Sequence, residues 1–294
     1  MIFSLIGSVE KDLRSKSNDI KKLIRDLFIL QRKERTMRYS MIFEGLEISY
    51  IRECANHPKL RILLVHGTSC DSRVFSGLLG ELSKNHDVVA IDLPGHGSSS
   101  GIGFRGVADY AAFCSALVQH VGWKDCVLVG HSMGGGVSIA MTLYDPQLVR
   151  GLILIDSGAR LRVSPEVLDL AKQEAAEPQK RKKNSRVGFS DKTADSIIKN
   201  IREITDNSSA QVTFKDWIAD DTCDFMSRVS KIDLPTLAIC GRDDVLTPLK
   251  YHQYLEERMP DCSLVIIEDA GHWSFVEKPK EVLTALEVFL EKLY

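Results

Sequence analysis

The stretch that decides the fold is Val127-Leu-Val-Gly-His-Ser-Met-Gly-Gly-Gly136. Its apolar start predicts a buried strand, and a helical pattern begins after the serine. Between the two lies Gly-x-Ser-x-Gly, in which Ser132 is flanked by Gly130 and Gly134. Glycines let neighbouring backbone approach closely at a tight strand-to-helix turn. A purely structural turn is the alternative for an isolated match, but the strand before it and the helix after it favour an exposed nucleophile at Ser132.

Similar strands are predicted on both sides of this one. From about residue 60 onward, short β-branched apolar runs alternate with longer helical patterns, which is typical of a parallel sheet covered by helices. Most runs lack apolar/polar alternation, as expected for strands buried on both faces, and an antiparallel hairpin at residues 41–52, turning at Gly45, is predicted to precede them. The predicted strands are residues 62–65, 88–91, 127–129, 152–155, 237–240 and 264–267.

A serine hydroxyl is a weak nucleophile near neutral pH, so it needs a base within hydrogen-bond reach and a third group that orients the base. Two later strands end in suitable side chains, in Leu237-Ala-Ile-Cys-Gly-Arg-Asp-Asp-Val-Leu-Thr-Pro248 and in Ile266-Ile-Glu-Asp-Ala-Gly-His272. Ligands of open α/β sheets bind beyond the carboxyl ends of the strands. We therefore expect an aspartate and His272 to meet Ser132 at one edge.

Five motifs in the sequence belong together: Gly-His-Ser-Met-Gly at 130–134, Val65-His-Gly67, Asp92-Leu-Pro-Gly-His-Gly-Ser98, Gly241-Arg-Asp-Asp-Val-Leu-Thr-Pro248 and Gly271-His272. With them, the chain resembles the capped α/β-hydrolase family over about residues 41–294. The resemblance implies an α/β class protein with the α/β-hydrolase fold, a mostly parallel doubly wound sheet with an inserted helical cap. It also implies the order nucleophile, acid, histidine along the chain.

Three aspartates compete for the role of the acid. The family spacing of Gly, two residues, Asp, three residues, Pro falls on Asp244, so we expect Asp244 to orient the base. Asp243 would then form the turn or cap the following helix. Asp156, at the end of another predicted strand, is kept in reserve because some relatives place the acid there.

His272 is the predicted general base because it follows Gly271 in a loop at the same sheet edge. The remaining histidines are expected to be structural, and their spacing does not suggest a metal site. We expect His66, His96 and His131 to bond local backbone in motif turns, and His57, His86, His120 and His252 to lie on the surface.

Acyl transfer also needs donors aimed at the developing oxyanion. The residue after the nucleophile, Met133, is expected to supply one backbone N–H. The resemblance places the second on the loop after the strand at 62–65, at the N–H of Thr68, so the Thr68 side chain is expected to be replaceable with modest effect. Ser69, Val245 and Trp273 flank these residues and are candidates for substrate binding, although each could equally be core.

The rhythm of strands breaks between residues 157 and 231, which include the polar stretch KQEAAEPQKRKKNSR. A solvated linker is one reading, but residues 167–170, 197–204 and 212–218 are apolar enough to form packed helices. We therefore predict a helical cap at 157–231, inserted into a core domain formed by 39–156 and 232–294.

Residues 1–38 carry ten Lys or Arg against five Asp or Glu. Apolar residues at helical spacing predict an amphipathic helix with a basic face, made by Ile20, Leu23, Ile24, Leu27 and Leu30. Such a helix could lie on an anionic membrane surface. Packing on its own domain or on a partner chain is more common, and we favour that reading for this N-terminal extension.

Composition excludes several classes of protein. Hydrophobic residues make up 44% and charged residues 27%, as in ordinary globular domains, and the net charge of −2 lacks the basic excess of nucleic-acid binders. Seven cysteines without a CxxC pair suggest reduced thiols. With no long apolar run and no signal-peptide pattern at the start, we expect a cytoplasmic protein.

The function that these features predict is hydrolysis of a small carboxylic ester or related acyl substrate through an acyl-enzyme, with no cofactor and no metal. Carbon–carbon bond hydrolysis of a β-diketone-like substrate would use the same triad and stays open. So does a ligand receptor built on the hydrolase fold, since fold does not imply function. Ser132 disfavours relatives that use an aspartate nucleophile. Substrate identity and oligomeric state are left open by the sequence.

Overall fold

The computed structural model describes residues 37–180 and 186–294. Their centre is an eight-stranded sheet in the order β1-β2-β4-β3-β5-β6-β7-β8. The first hairpin pairs antiparallel and joins β4 antiparallel, whereas all other neighbours are parallel. The strands are β1 Arg38–Phe43, β2 Leu46–Cys54, β3 Arg61–Val65, β4 Asp87–Ile91, β5 Cys126–His131, β6 Val149–Ile155, β7 Thr236–Gly241 and β8 Cys262–Ile267. The predicted mostly parallel sheet is confirmed, and each predicted strand lies within an observed one.

Helices cover both faces of this sheet. The α-helices are α1 Ser76–Leu82, α2 Val107–His120, α3 Met133–Tyr144, α4 Pro165–Ala176, α5 Asp195–Thr205, α6 Ala210–Thr222, α7 Leu249–Arg258, α8 Ser274–Glu277 and α9 Pro279–Glu291. Short 3-10 turns occur at Ser72–Phe75, Pro146–Leu148, Pro178–Lys180 and Val229–Lys231. Within the described residues no helix is long and apolar enough to cross a bilayer.

The central strands are buried because successive side chains enter two different cores. In β3, Leu63 and Val65 pack on the side that includes α2 and α3, whereas Ile62 and Leu64 pack on the side of α1 and α9. A period of two residues thus serves both faces, which is why these strands are apolar throughout. The two cores fix β3 and β5 side by side, and their carboxyl ends support the site described below.

Between β6 and β7 the chain leaves the sheet and forms α4, α5 and α6, which contain the three apolar stretches predicted to be helical. We call residues 157–231 the insertion. Near its two ends, Arg160 and Asp224 form an isolated antiparallel bridge. The N-terminal extension predicted at 1–38 lies, up to residue 36, outside the described residues.

Two histidines expected at the surface are buried. His252 lies on the inner face of α7, where its Nε2 accepts the N–H of Ser157 and burial lowers its pKa to about 4. His86 precedes β4 and is also buried. In both places tertiary packing outweighs the usual preference of a lone histidine for water. His57 and His120 are exposed as predicted.

Candidate active site

Ser132 stands on a strained turn between β5 and α3. Its φ of 54° lies in the left-handed region, which a non-glycine residue adopts at a cost that the surrounding structure must offset. The N–H of Ser132 is bonded to the carbonyl of Ile155 on β6. A Cβ at Gly130 would come 2.3 Å from the Gly134 carbonyl oxygen, and a Cβ at Gly134 2.1 Å from that of Val65. The two flanking glycines are therefore required by backbone that crosses close behind the serine.

The three side chains predicted to converge are brought together at this edge. His272 Nε2 lies 2.9 Å from Ser132 Oγ, and His272 Nδ1 lies 2.9 Å from Asp244 Oδ2. Ser132 and His272 are 140 residues apart in the sequence. The chain of contacts from hydroxyl to imidazole to carboxylate has the geometry in which an imidazole can take the serine proton.

The Asp244 carboxylate is held by its own turn. Oδ1 accepts the N–H groups of Leu246 and Thr247, and Oδ2 accepts the Thr247 hydroxyl at 2.7 Å in addition to His272. Burial would raise the pKa of Asp244, but the neighbouring imidazole and these donors lower it well below the usual range. Asp244 is therefore charged at neutral pH.

That charge acts on the histidine. Burial alone would lower the pKa of His272, but the Asp244 carboxylate, through its charge and its hydrogen bond, raises it above the ordinary value. The hydrogen bond also fixes the proton on Nδ1, so Nε2 presents its lone pair to Ser132. This is the tautomer that a general base requires.

The two alternative aspartates do not contact His272. Asp156 accepts the Gly241 N–H through Oδ1 and the N–H and hydroxyl of Ser274 through Oδ2. It therefore joins β6 to residues 268–274, which we call the histidine loop. Burial and the charge of Asp244 raise its pKa to about 7. Asp243 accepts the Ser190 hydroxyl from the insertion. Of the three aspartates considered, Asp244 is therefore the one whose carboxylate contacts His272.

The loop after β3, residues 66–69, carries the predicted oxyanion donor Thr68, and we call it the oxyanion loop. A Cβ at Gly67 would come 2.8 Å from the Cβ of Ser132, so this backbone passes directly beside the nucleophile. Thr68 lines the same cavity as Ser132. Met133 is the first residue of α3, where N–H groups lack acceptors within the helix and the helix dipole favours negative charge.

A cavity of about 320 Å³ opens over Ser132 and His272. Ser69 and Trp273 line it, as predicted for substrate-binding candidates, and the Trp273 indole stacks on Phe189. Val245 does not line it, because the turn after β7 directs the next side chain, Leu246, inward and leaves Val245 68% exposed. Most other lining residues belong to the insertion: Val167, Leu170, Ala171, Glu174, Val187, Phe189, Ile201, Arg202, Thr205, Asp206, Thr213 and Trp217.

Sequence reasoning missed residues that hold the site in shape. Thr247 could have been predicted from its spacing, because a hydroxyl side chain three residues after Asp244 can bond the turn in which Asp244 lies. Glu277 had none: Oε1 accepts the N–H groups of Gly271 and Trp273, and Oε2 accepts the N–H of Ser190. Glu277 thereby joins the histidine loop to the insertion.

The insertion is bonded to the histidine loop through its backbone as well. The N–H of His272 donates to the carbonyl of Gly188 at 2.6 Å. Among the described residues, no group of three or more His, Cys, Asp or Glu side chains is arranged to bind a metal ion.

Comparisons with known proteins agree with this architecture. A sequence model of the alpha/beta hydrolase family matches residues 62–285. The pimeloyl-(acyl-carrier protein) methyl ester esterase of Neisseria meningitidis serogroup B is 28% identical over 243 residues, covering 79% of this chain and 93% of that protein.

Solved structures of esterases are similar along most of the chain. A malate-bound thermophilic esterase from Thermogutta terrifontis has a TM-score of 0.75 at 25% identity and covers 87% of this chain and 99% of its own. A second structure of a thermophilic esterase has a TM-score of 0.72 at 32% identity, with coverage of 87% and 98%. This chain belongs to the α/β-hydrolase family and is a hydrolase.

Proposed function

We propose that the protein is a serine hydrolase that cleaves a carboxylic ester, or a related acyl substrate, through an acyl-enzyme on Ser132. The observation that carries this proposal is the continuous contact from Ser132 Oγ through His272 to Asp244, with 2.9 Å at each step. The esterases among its relatives support the same reaction class.

The proposed reaction follows from these contacts. Ser132 Oγ attacks the ester carbonyl carbon while its proton passes to His272 Nε2. The carbonyl oxygen becomes an oxyanion, which the backbone N–H groups of Thr68 and Met133 are proposed to stabilise. The alcohol leaves with the proton from His272. A water molecule then attacks the acyl-enzyme, gives its proton to Nε2, and releases the acid as the serine regains its proton.

Asp244 is proposed to orient the imidazole and to stabilise its protonated form without taking up the proton itself. This role requires an aspartate that stays charged while it is buried. The donors from Leu246 and Thr247 meet that requirement because they compensate the carboxylate for lost water.

The cavity supports an apolar acyl group as the part of the substrate that is bound. Side chains around Ser132 and His272 include Leu246, Trp273 and Phe189, together with the aliphatic residues of α4. Binding of an apolar acyl group against such a lining is favourable because it removes apolar surface from water, which contributes about 25 cal/mol per Å². We therefore propose uncharged short to medium acyl esters as substrates, with the insertion acting as the cap that shapes the pocket.

The test is hydrolysis of p-nitrophenyl esters with acyl chains of two to ten carbons by the wild-type protein and by Ser132→Ala. If the serine acts together with the histidine and aspartate, kcat should fall by about 10⁶. A matched control is Ser138→Ala, since Ser138 lies on α3 close to the nucleophile but bonds the Gly134 carbonyl within the helix.

Ester hydrolysis that survives in Ser132→Ala would contradict the proposal. Labelling of Ser132 by a fluorophosphonate tests its activation separately. A β-diketone offered in parallel distinguishes carbon–carbon cleavage, which is favoured if its kcat/KM exceeds that of every ester. Labelling without turnover of either substrate would favour a receptor instead.

A further inference from the structure

Helix α6 of the insertion is bonded to the oxyanion loop by three of its side chains. Asp216 Oδ2 accepts the N–H of Ser69 at 3.0 Å, and the Thr213 hydroxyl oxygen lies 2.8 Å from Ser69 Oγ. One turn further along the helix, Asp220 accepts the Thr68 hydroxyl at 2.6 Å. These contacts join residues about 150 positions apart in the sequence, and they converge on the two residues that follow Gly67.

The oxyanion loop needs such support because its backbone is strained. Ser69 has a φ of 60°, in the left-handed region that costs a non-glycine residue free energy. Few hydrogen bonds within the loop support it: the Cys70 N–H donates to the Gly67 carbonyl, and His66 Nδ1 contacts the same oxygen. Because the Asp216 carboxylate accepts the Ser69 N–H, it fixes the peptide between Thr68 and Ser69. The adjoining peptide, which carries the Thr68 N–H, is oriented as a consequence.

Asp216 is itself held rigidly by the core domain. Its Oδ2 also contacts His96 Nε2 at 2.8 Å, and its Oδ1 accepts the Tyr110 hydroxyl at 2.7 Å. The carboxylate is fully buried, and burial of a charge is tolerated where several donors surround it. Burial would lower the pKa of His96, but Asp216 raises it, so the imidazole is a good donor to this carboxylate.

The role of the carboxylate differs from that of an ordinary salt bridge. Its three partners all belong to the core domain: His96 and Tyr110 hold the carboxylate, and Ser69 is the strained residue of the oxyanion loop. Through these bonds Asp216, which belongs to the insertion, fixes the oxyanion loop relative to the rest of the core domain. Removing it would free the Ser69 N–H and would also leave His96 and Tyr110 without their acceptor, so folding must be measured separately from the rate.

From this arrangement we infer that Asp216 is a positioning residue for the oxyanion hole, so that the insertion completes the catalytic apparatus as well as covering the pocket. The inference rests on the proposed function, because it assigns the Thr68 N–H to the oxyanion. Thr213 assists by holding the Ser69 hydroxyl. Asp216 acts through the loop and does not touch the reacting atoms.

The test compares Asp216→Ala with wild type, using p-nitrophenyl butyrate and an alkylboronic acid whose tetrahedral adduct with Ser132 places an oxygen in the oxyanion site. Rates are divided by the number of Ser132 sites that a fluorophosphonate labels at saturation. Misplacing an oxyanion donor costs much of the transition-state stabilisation that removing it would cost, so kcat/KM per labelled site should fall about 10- to 100-fold. The inhibition constant of the boronic acid should rise by the same factor.

Two further variants keep the test decisive. Thr213→Val removes the partner of the Ser69 hydroxyl with little change in shape and should lower kcat/KM per site about three- to tenfold, even if Asp216→Ala folds poorly. The matched control is Asp221→Ala, on the same helix, whose carboxylate accepts the Val163 N–H away from the loop. Its rates per site should equal those of wild type.

A merely structural role would lower the number of labelled sites while leaving kcat/KM per site and boronic acid affinity unchanged. That result in both Asp216→Ala and Thr213→Val would overturn the inference while the proposed function stands. Butyrate hydrolysis that persists in Ser132→Ala would instead refute the proposed function, and the inference with it. Supporting results are parallel losses in kcat/KM per site and in boronic acid affinity, with no change in the pH at which kcat/KM reaches half its maximum.

Discussion

Two buried aspartates lie near the proposed nucleophile, one bonded to His272 and the other to the oxyanion loop, and their environments differ. Asp244, on the core side, receives four hydrogen bonds through its two oxygens. Asp220, on the insertion side, receives the Thr68 hydroxyl on Oδ2, whereas its Oδ1 has no partner within the described part of the chain. Their residual exposures are nearly equal, at 5% and 4%.

The difference teaches that burial alone does not decide the charge of a carboxyl group. Donors and the imidazole hold the pKa of Asp244 far below its usual range, whereas burial raises the pKa of Asp220 to about 7. The core side is therefore built to keep a negative charge beside His272. The insertion side carries a carboxyl that is protonated over much of the acidic range.

The largest expected effect on activity comes from Asp244→Asn, which keeps the size of the side chain but removes its charge and allows the wrong histidine tautomer. We expect kcat to fall by about 10⁴ with the fold intact. Steady-state kinetics on a p-nitrophenyl ester, with circular dichroism as the fold control, measure this. Activity within tenfold of wild type would contradict the role given to Asp244, and Asp243→Asn is the matched control.

The pH profile provides a second test of the core side. Because Asp244 raises the pKa of His272, the midpoint of kcat/KM against pH should lie above 6.5, the ordinary value for histidine. Protonated imidazole cannot accept the serine proton, so the rate falls as pH falls, about 100-fold at two units below the midpoint. A midpoint below 6 in the wild type would show that the carboxylate does not dominate the environment of His272.

A smaller effect is expected from Thr247→Val. The Thr247 hydroxyl donates to Asp244 Oδ2 and lies 3.3 Å from His272 Nδ1. Its loss removes one charge-assisted bond, so kcat should fall about tenfold with little change in KM. Thr247→Ser retains the hydroxyl and should recover most of the activity. If both variants lose activity equally, packing of the methyl group would be the cause instead.

The smallest effect on activity is expected from Asp220→Asn, about threefold at most, because the amide oxygen still accepts the Thr68 hydroxyl. Its effect on stability depends on pH. A carboxyl whose folded pKa is raised contributes stability below its unfolded pKa near 4 and loses it as pH rises through 7.

The advantage of Asp220→Asn over wild type in unfolding free energy should therefore grow between pH 4 and 7, by about 3 kcal/mol. Urea unfolding of both proteins at a series of pH values measures the difference. A difference that does not change with pH would mean that Asp220 titrates at the same pH in the folded and unfolded states.

Much of the fold could be predicted from local pattern. The two-faced burial of β3 and β5 makes their sequences apolar throughout, and the glycines beside Ser132 report a close crossing of backbone. The meeting of Ser132, an aspartate and His272 was expected from the rule that parallel strands end at one edge, and the family spacing selected Asp244.

The contacts of the insertion could not be predicted in the same way. Asp216 and Asp220 lie four residues apart on α6, where their sequence spacing suggests an ordinary polar stripe. Their partners in the oxyanion loop lie 147 and 152 residues away, and packing of α6 on the core decides which contacts form. The prediction for Val245 was wrong for a related reason. In the turn after β7 neighbouring side chains point in opposite directions, and the Val245 side chain is the one that points outward.

The position of His272 after β8 has a consequence for the growing chain on the ribosome. β5, with Ser132, lies in the middle of the sheet, whereas β8 forms its edge and leads into the histidine loop. A nascent polypeptide that ends before β8 contains the alcohol and Asp244 but not the imidazole that is proposed to activate the alcohol. Under the proposed mechanism, hydrolytic competence is acquired only after β8 and the loop that carries His272 have been synthesised and have docked.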